Sequence, residues 1–214
     1  MLPKHTFHFF RLGLVVGAIA LMAACARQEA EPAGATNGLS NAASFQPIDD
    51  DATRSRAIFD EMFKVISHPR CSNCHSSDDY PRQGEDMRLH EPPIGRGPNG
   101  FGPPGLNCSS CHGIENVEYA SSDGSIPGHE IWMMPPRSMG WLNNSAGSVC
   151  NQLKDPSKNG ERSLEELVEH NLNDSLVGWG WNPGEGREPA PGTQHIFGEL
   201  TRAWVKSGAH CPTE

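Results

Sequence analysis

Tyrosine and phenylalanine are in short supply. The chain has 2 Tyr and 8 Phe among 214 residues, so ordinary large side chains promise only a thin core. Cations are scarce as well: 17 Lys and Arg face 26 Asp and Glu, a formal net charge of −9. That balance excludes a nucleic-acid binder, which needs a basic surface. It fits simple solubility or a basic protein partner. The N-terminal apolar run, Leu12 to Ala24, has 13 residues, short of the roughly 20 that a membrane-spanning helix requires. What is plentiful is Gly and Pro, 23 and 18 residues, about a fifth of the chain against roughly an eighth in average usage. The sequence therefore promises long loops and few long regular elements, with some other apolar body filling the interior.

Lys4, His5 and Arg11 precede the N-terminal run, the pattern of an export signal over residues 1–24. The run ends in "LMAAC", which resembles the bacterial lipoprotein signal. Cys25 would then be lipidated and become the mature N-terminus, anchoring the protein to a membrane. Met22 stands where that signal usually has leucine, with Leu21 one position earlier. The alternative is ordinary cleavage at the small-x-small site Ala24-Cys25-Ala26, which yields a soluble periplasmic protein. Residues 25–52 have the Ala, Ser, Asn, Gly and Pro content of a flexible tether, and residues 53–214 read as a single folded domain.

Within that domain the apolar positions 58, 59, 62, 63, 65 and 66 have helical spacing. Asp51 or Thr53 can cap this helix and Pro69 stops it. Ser163-x-x-Glu166 is a capping box ahead of Leu164, Leu167, Val168 and Leu172. Ile196, Phe197, Leu200 and Trp204 mark a last helix ending at Gly208. Residues 92–105 hold five Pro and five Gly in fourteen positions, which no helix or strand survives; this loop is expected to wrap something. No run of period two predicts a sheet. The reading is a mainly α, cytochrome c-like dihaem domain with long Gly/Pro-rich irregular connections.

The dihaem expectation rests on a doubled pentapeptide, Cys71-x-x-Cys74-His75 and Cys108-x-x-Cys111-His112. This is the attachment signature of c-type haem. Two thiols add to the vinyl groups on one porphyrin edge, and the adjacent histidine ligates the iron from below. Zinc could use two Cys-x-x-Cys pairs, but 33 residues separate Cys74 from Cys108, longer than the usual spacing, and zinc leaves the two histidines unexplained. Disulfides are permitted outside the cytoplasm yet dictate no histidine. A thioredoxin-like site needs a βαβ context that is missing. Two covalently attached groups of haem c (heme c) are therefore expected. The motifs start 37 residues apart, too close for two independent domains, so the haems should share one core.

Seven cysteines divide into one for lipid, four for haem, and Cys150 with Cys211 left over. These two pair as a disulfide or stay separate thiols. His75 and His112 fill one axial position each; His90, ahead of the Pro/Gly loop, and Met139, in "MMPPRSM", are the expected sixth ligands. Met134, His170 and His195 are reserves, and Met62 is core. Trp132, Trp141, Trp179, Trp181 and Trp204 are taken as core.

The stretches "HPRCSNCH", "YPRQGED", "HEPPIGRGPNGFG", "CSSCHG", "CNQLKDPSKNGERS", "EHNLNDSLVGWGWNPGEGREPAPG" and "SGAHCP" resemble a family of exported dihaem cytochrome-like proteins often labelled as a subunit of isoquinoline 1-oxidoreductase. The resemblance covers about residues 55–212. Ser76 follows the first histidine where that family commonly has proline, which leaves the haem site intact. The resemblance implies a link to molybdenum hydroxylases, which need an external electron acceptor; the chain is too small to hold a molybdopterin domain itself. The expected function is electron transfer between an exported oxidoreductase and a respiratory cytochrome. A small peroxidase-like haem enzyme with one open coordination site, or a haem-containing sensor or assembly subunit, are the alternatives.

Overall fold

Helix α1, Asp51–Ile66, begins where the Asp50 carboxylate accepts the Thr53 N–H; the cap is Asp50 rather than Asp51 or Thr53. Its stripe of Ile58, Phe59, Met62, Val65 and Ile66 is at most 1% exposed. Pro69 then occupies the first turn of a short helix α2, Pro69–Ser72, where a missing N–H costs nothing. In the computed structural model, residues 38–121 and 124–214 are described, and they belong to one compact unit. The export signal, Cys25 and residues 25–37 of the expected tether lie outside the described residues. Among those described, no helix is long and apolar enough to cross a membrane.

The protein is mainly α. After α2 the described strands form two two-residue antiparallel ladders. In the first, β1 Arg82–Gln83 pairs with β2 Arg88–Leu89, Arg82 opposite Leu89. In the second, β3 Val117–Glu118 pairs with β4 Ser125–Ile126, Val117 opposite Ile126. Helix α3, Ala146–Lys154, is capped by Ser145. Helix α4, Leu164–Asn173, starts with the expected capping box, Ser163 and Glu166 each bonding the other's backbone N–H. A short α5, Ser175–Gly178, leads into a tight turn over Trp179–Trp181. Helix α6, Gln194–Lys206, packs against both α1 and α4.

The core lies where α1, α3, α4 and α6 meet, with Phe59, Leu200 and Trp204 fully buried and the Phe59 and Trp204 rings 5.3 Å apart. Each such side chain contributes roughly 1.5–3 kcal/mol by leaving water. Trp204 satisfies its indole N–H on the His210 carbonyl. The two cysteines left open by sequence are bonded: Cys150 on α3 meets Cys211 beyond α6, with Cα atoms 5.5 Å apart.

Over its described part the tether expectation is corrected. Leu39 is fully buried in the core, Asn41 caps a turn at Ala42–Phe45, and the Ser40 N–H donates to Glu61 at 2.7 Å. One leucine and one backbone hydrogen bond to a carboxylate hold this segment down, a signal that a polar composition conceals.

Candidate functional site

The doubled sequence folds into a doubled structure. In the first motif the Cys71 carbonyl accepts both the Cys74 and His75 N–H groups, at 3.2 and 3.0 Å; in the second the Cys108 carbonyl accepts Cys111 and His112 at 3.1 and 2.9 Å. Each pentapeptide is thus one helical turn, with two thiols and an imidazole projecting from it. All four thiols are free. Burial pushes the Cys71 thiol up to about 12 and Cys74 to about 11, and it raises Cys108 as well.

The two histidines are held alike. His75 Nδ1 donates to the Met139 carbonyl at 2.8 Å, and His112 Nδ1 donates to the Pro127 carbonyl at 2.7 Å. A proton fixed on Nδ1 leaves the Nε2 lone pair bare, the form in which a histidine ligates metal. Burial drives the His75 pKa down to about 3, against the pull of the Met139 carbonyl, and lowers that of His112. Both rings are therefore neutral near pH 7. Each also lies against a tryptophan: His75 stacks on Trp141 with centroids 3.4 Å apart, and His112 on Trp132 at 4.9 Å.

A cavity of about 550 Å³ has thiols of both motifs, Cys74, Cys108 and Cys111, in its wall together with His112, His90, Trp132 and Met134. The Gly/Pro loop closes one side through Ile94, Gly95 and Leu106, held by Met134 N–H to Gly100 and Cys108 N–H to Phe101. The "VGWGWNPG" stretch closes another with Trp179, whose N–H donates to Asn116 at 2.9 Å. The tryptophan expectation is thus corrected for three of the five: Trp132 and Trp179 line the cavity and Trp141 packs on His75, while Trp181 and Trp204 belong to the core. Asn116 is a residue that sequence reasoning missed. It also accepts the Gly128 N–H and donates to the Asn182 carbonyl, tying three segments of the wall together.

The remaining histidines sort by tautomer. His90 donates from Nδ1 to the Pro92 carbonyl at 2.8 Å, lines the cavity, and sits 5.9 Å from His112 ring to ring. It stands with the second motif, its Nε2 bare. His129 does the opposite: its Nδ1 accepts the Ile131 N–H and its Nε2 meets the Ser175 hydroxyl, leaving no lone pair free. Met139 is buried and reaches His75 through its carbonyl. His170, paired with Asp174, lies close enough to bias the His75 proton electrostatically. His195 lines a separate hollow beside Trp181 and Gln194 that contains none of the thiols.

The metal alternatives are weaker on geometry. A tetrahedral Cys₄ zinc site needs sulfurs roughly 3.8 Å apart, given bonds near 2.3 Å. Among the described residues the only group of three or more such donors gathered within 4.8 Å is His68, Glu85 and Glu188. There the Arg70 N–H donates to His68 Nδ1 and the Arg70 side chain binds Glu85, so the neutral imidazole carries its proton on Nε2 and the group reads as an ion-pair knot. The cavity's size, its mixed wall of aromatic, aliphatic and arginine side chains, the Cys108 and Cys111 thiols and the bare Nε2 atoms of His112 and His90 fit a macrocyclic cofactor better than a small cation. No family model, no curated protein and no solved structure matches this chain.

Proposed function

We propose that this chain is a dihaem c-type cytochrome that carries single electrons between an exported oxidoreductase and a respiratory acceptor. The observation that carries the reading is the repeated unit: a Cys-x-x-Cys-His turn, an Nδ1 proton fixed on a backbone carbonyl, and a tryptophan against the ring, found at both motifs. Haem iron, once bound, supplies reversible one-electron ferric–ferrous chemistry.

The chain's own residues do the rest. Cys71 and Cys74 would hold one group and Cys108 and Cys111 the other, and His75 and His112 would each ligate the iron of its own group. The carbonyls of Met139 and Pro127 fix the orientation of those rings and raise their basicity. His90 is the sixth ligand assigned to the second site, because it shares the cavity with His112 in the ligating tautomer. Met139 meets His75 on the Nδ1 side through its carbonyl and its sulfur lies toward Gly160, outside the cavity, so its expected role as sixth ligand of the first site gives way to that of orienting His75. Met134, Trp132 and Trp179 would exclude water at the second site, and Cys74 in the same cavity wall would bring the first group up beside it, as one-electron relay requires. This is a cytochrome c-like use of a helical scaffold. A lipid anchor at Cys25, a periplasmic location, and a molybdenum hydroxylase as donor complete the proposal, and rest on the N-terminal pattern and the family resemblance.

A redox titration with visible and electron paramagnetic spectra tests it on protein matured with haem attached. Two low-spin, six-coordinate haems per chain, each taking one electron, are the expected result. An apo-polypeptide mass or bound zinc overturns it, and a high-spin haem that turns over peroxide assigns the protein to the enzymes instead.

A further inference from the structure

The two attachment turns differ in how they meet solvent. In the first, Ser72 and Asn73 are buried and Cys71 packs against the core; in the second, Ser109, Ser110 and Cys111 are exposed. Directly beyond the second lies an apolar surface. Ile114 is 74% exposed, Val117 53% and Ile131 54%. The backbone sets their segments side by side: the His129 N–H donates to Gly113, Val117 pairs with Ile126 and Glu118 with Ser125, so residues 113–118 run antiparallel to 125–130, with Ile131 at the end of the pair. A group held in the cavity would cover Leu106 and Tyr119, which line it, but not Ile114, Val117 or Ile131, which do not. Neighbouring exposed aliphatic side chains of this kind mark an interaction site on a soluble domain.

The charge around them has one sign. Between Arg96 and Arg137 the sequence has no Lys or Arg, yet it carries Glu115, Glu118, Asp123 and Glu130. Glu115, Glu118 and Glu130 are exposed and, among the described residues, none of them is in an ion pair. Arg187 reaches the same region from outside the stretch but bonds Ser125, in the cavity wall. We propose that the face formed by Ile114, Val117, Ile131 and their flanking glutamates docks a positively charged one-electron carrier protein, and that the second attachment site is the port through which the pair exchanges electrons. The inference rests on the dihaem reading above. Exposed aliphatic side chains interspersed with unpaired carboxylates suit a partner that presents apolar side chains among lysines: the charges steer the encounter and the apolar contacts exclude water. A second copy of this chain fits badly, since each copy has a net charge of −9.

Stopped-flow mixing of the reduced holoprotein with a small lysine-rich cytochrome c, across a range of salt concentrations, tests the inference; a small acidic copper protein serves as control. The rate constant with the cationic partner should fall steeply with salt and exceed that of the acidic control. In Glu115→Gln/Glu118→Gln/Glu130→Gln it should drop about tenfold at low salt and converge with the parent at high salt. Ile114→Ser/Ile131→Ser should slow exchange at every salt concentration, and both variants should keep two haems and the parent's potentials. Rates within twofold of the parent for both variants, or a preference for the acidic control, overturn the docking inference while leaving the cytochrome reading intact. So does a parent homodimer, seen by sedimentation, that Ile114→Ser/Ile131→Ser dissociates. Matured protein without haem overturns both.

Discussion

Removing the Cys150–Cys211 bridge should lower stability by an amount that the chain itself sets. The bond closes a separation of 61 residues, and in the chain-entropy view a loop of that size restrains the unfolded state by about 14 cal/mol/K, or about 4 kcal/mol at 25 °C. Cys150 is fully buried on α3, and Cys211 packs against the same core, so Cys150→Ala/Cys211→Ala is preferable to serine, which would bury hydroxyls. For a domain of this size a loss of 4 kcal/mol corresponds to roughly 8–16 °C in Tm. Calorimetry of the haem-loaded double variant against the parent measures it. The two attachment motifs lie outside the closed loop, so the visible spectrum should be nearly unchanged in the folded variant. A Tm loss below about 3 °C would refute the reasoning, because it would mean that the unfolded chain is already restrained without the bridge. A changed haem spectrum at an unchanged Tm would show that the bridge acts on the site and not on the chain.

Cys108→Ala/Cys111→Ala should leave one haem per chain and lower the Tm by emptying the cavity, and Cys71→Ala/Cys74→Ala should lose one haem and also the core packing of Cys71; haem assay and calorimetry read both. Trp141→Leu should keep two haems but alter the spectrum of one, since it removes the ring stacked on His75 and about 1 kcal/mol of packing. Gly100→Ala should cost about 2–4 kcal/mol, because Gly100 has φ +83° and a Cβ there would strike the Met134 carbonyl; denaturant unfolding measures it. Glu61 supplies a pH dependence. Burial raises its pKa, but the Ser40 N–H and Lys64 outweigh that and hold the group below its ordinary 4.5. A folded value below the unfolded one means that the stabilisation is complete above the unfolded value and is lost as pH falls through the folded one. Tm scans from pH 6 to pH 3 should therefore show a steeper acid loss in the parent than in Glu61→Gln.

Helices with strong apolar stripes and explicit caps were legible from the residues: α1 from Ile58 to Ile66, α4 from its capping box, α6 from Phe197 to Trp204. Helix α3 was not, because Gly147 and Asn151 weaken its propensity and only Val149, Cys150 and Leu153 mark its buried side. The two Cys-x-x-Cys-His turns were legible because each is a short local pattern with fixed spacing. The carbonyls of Met139 and Pro127 were not, since any residue supplies a carbonyl and only the long-range path of the loops decides which one meets an imidazole. The same holds for Asn116 and for the three tryptophans at the site. Their roles depend on segments 15 to 66 residues apart in the chain meeting in space, and no period in the sequence encodes such meetings.

If haem attaches at both motifs, the inward setting of Cys71 imposes an order of events. Once α1 and α6 have closed over the core, that thiol packs against the protein's own interior, and its high pKa leaves it almost wholly protonated and unreactive. Bond formation at that pentapeptide would therefore belong to the interval before closure, while the outward-facing second turn would stay accessible afterwards. A chain trapped with only one cofactor should carry it at the first turn if maturation is interrupted late, and peptide mapping of such half-loaded protein would read that history directly.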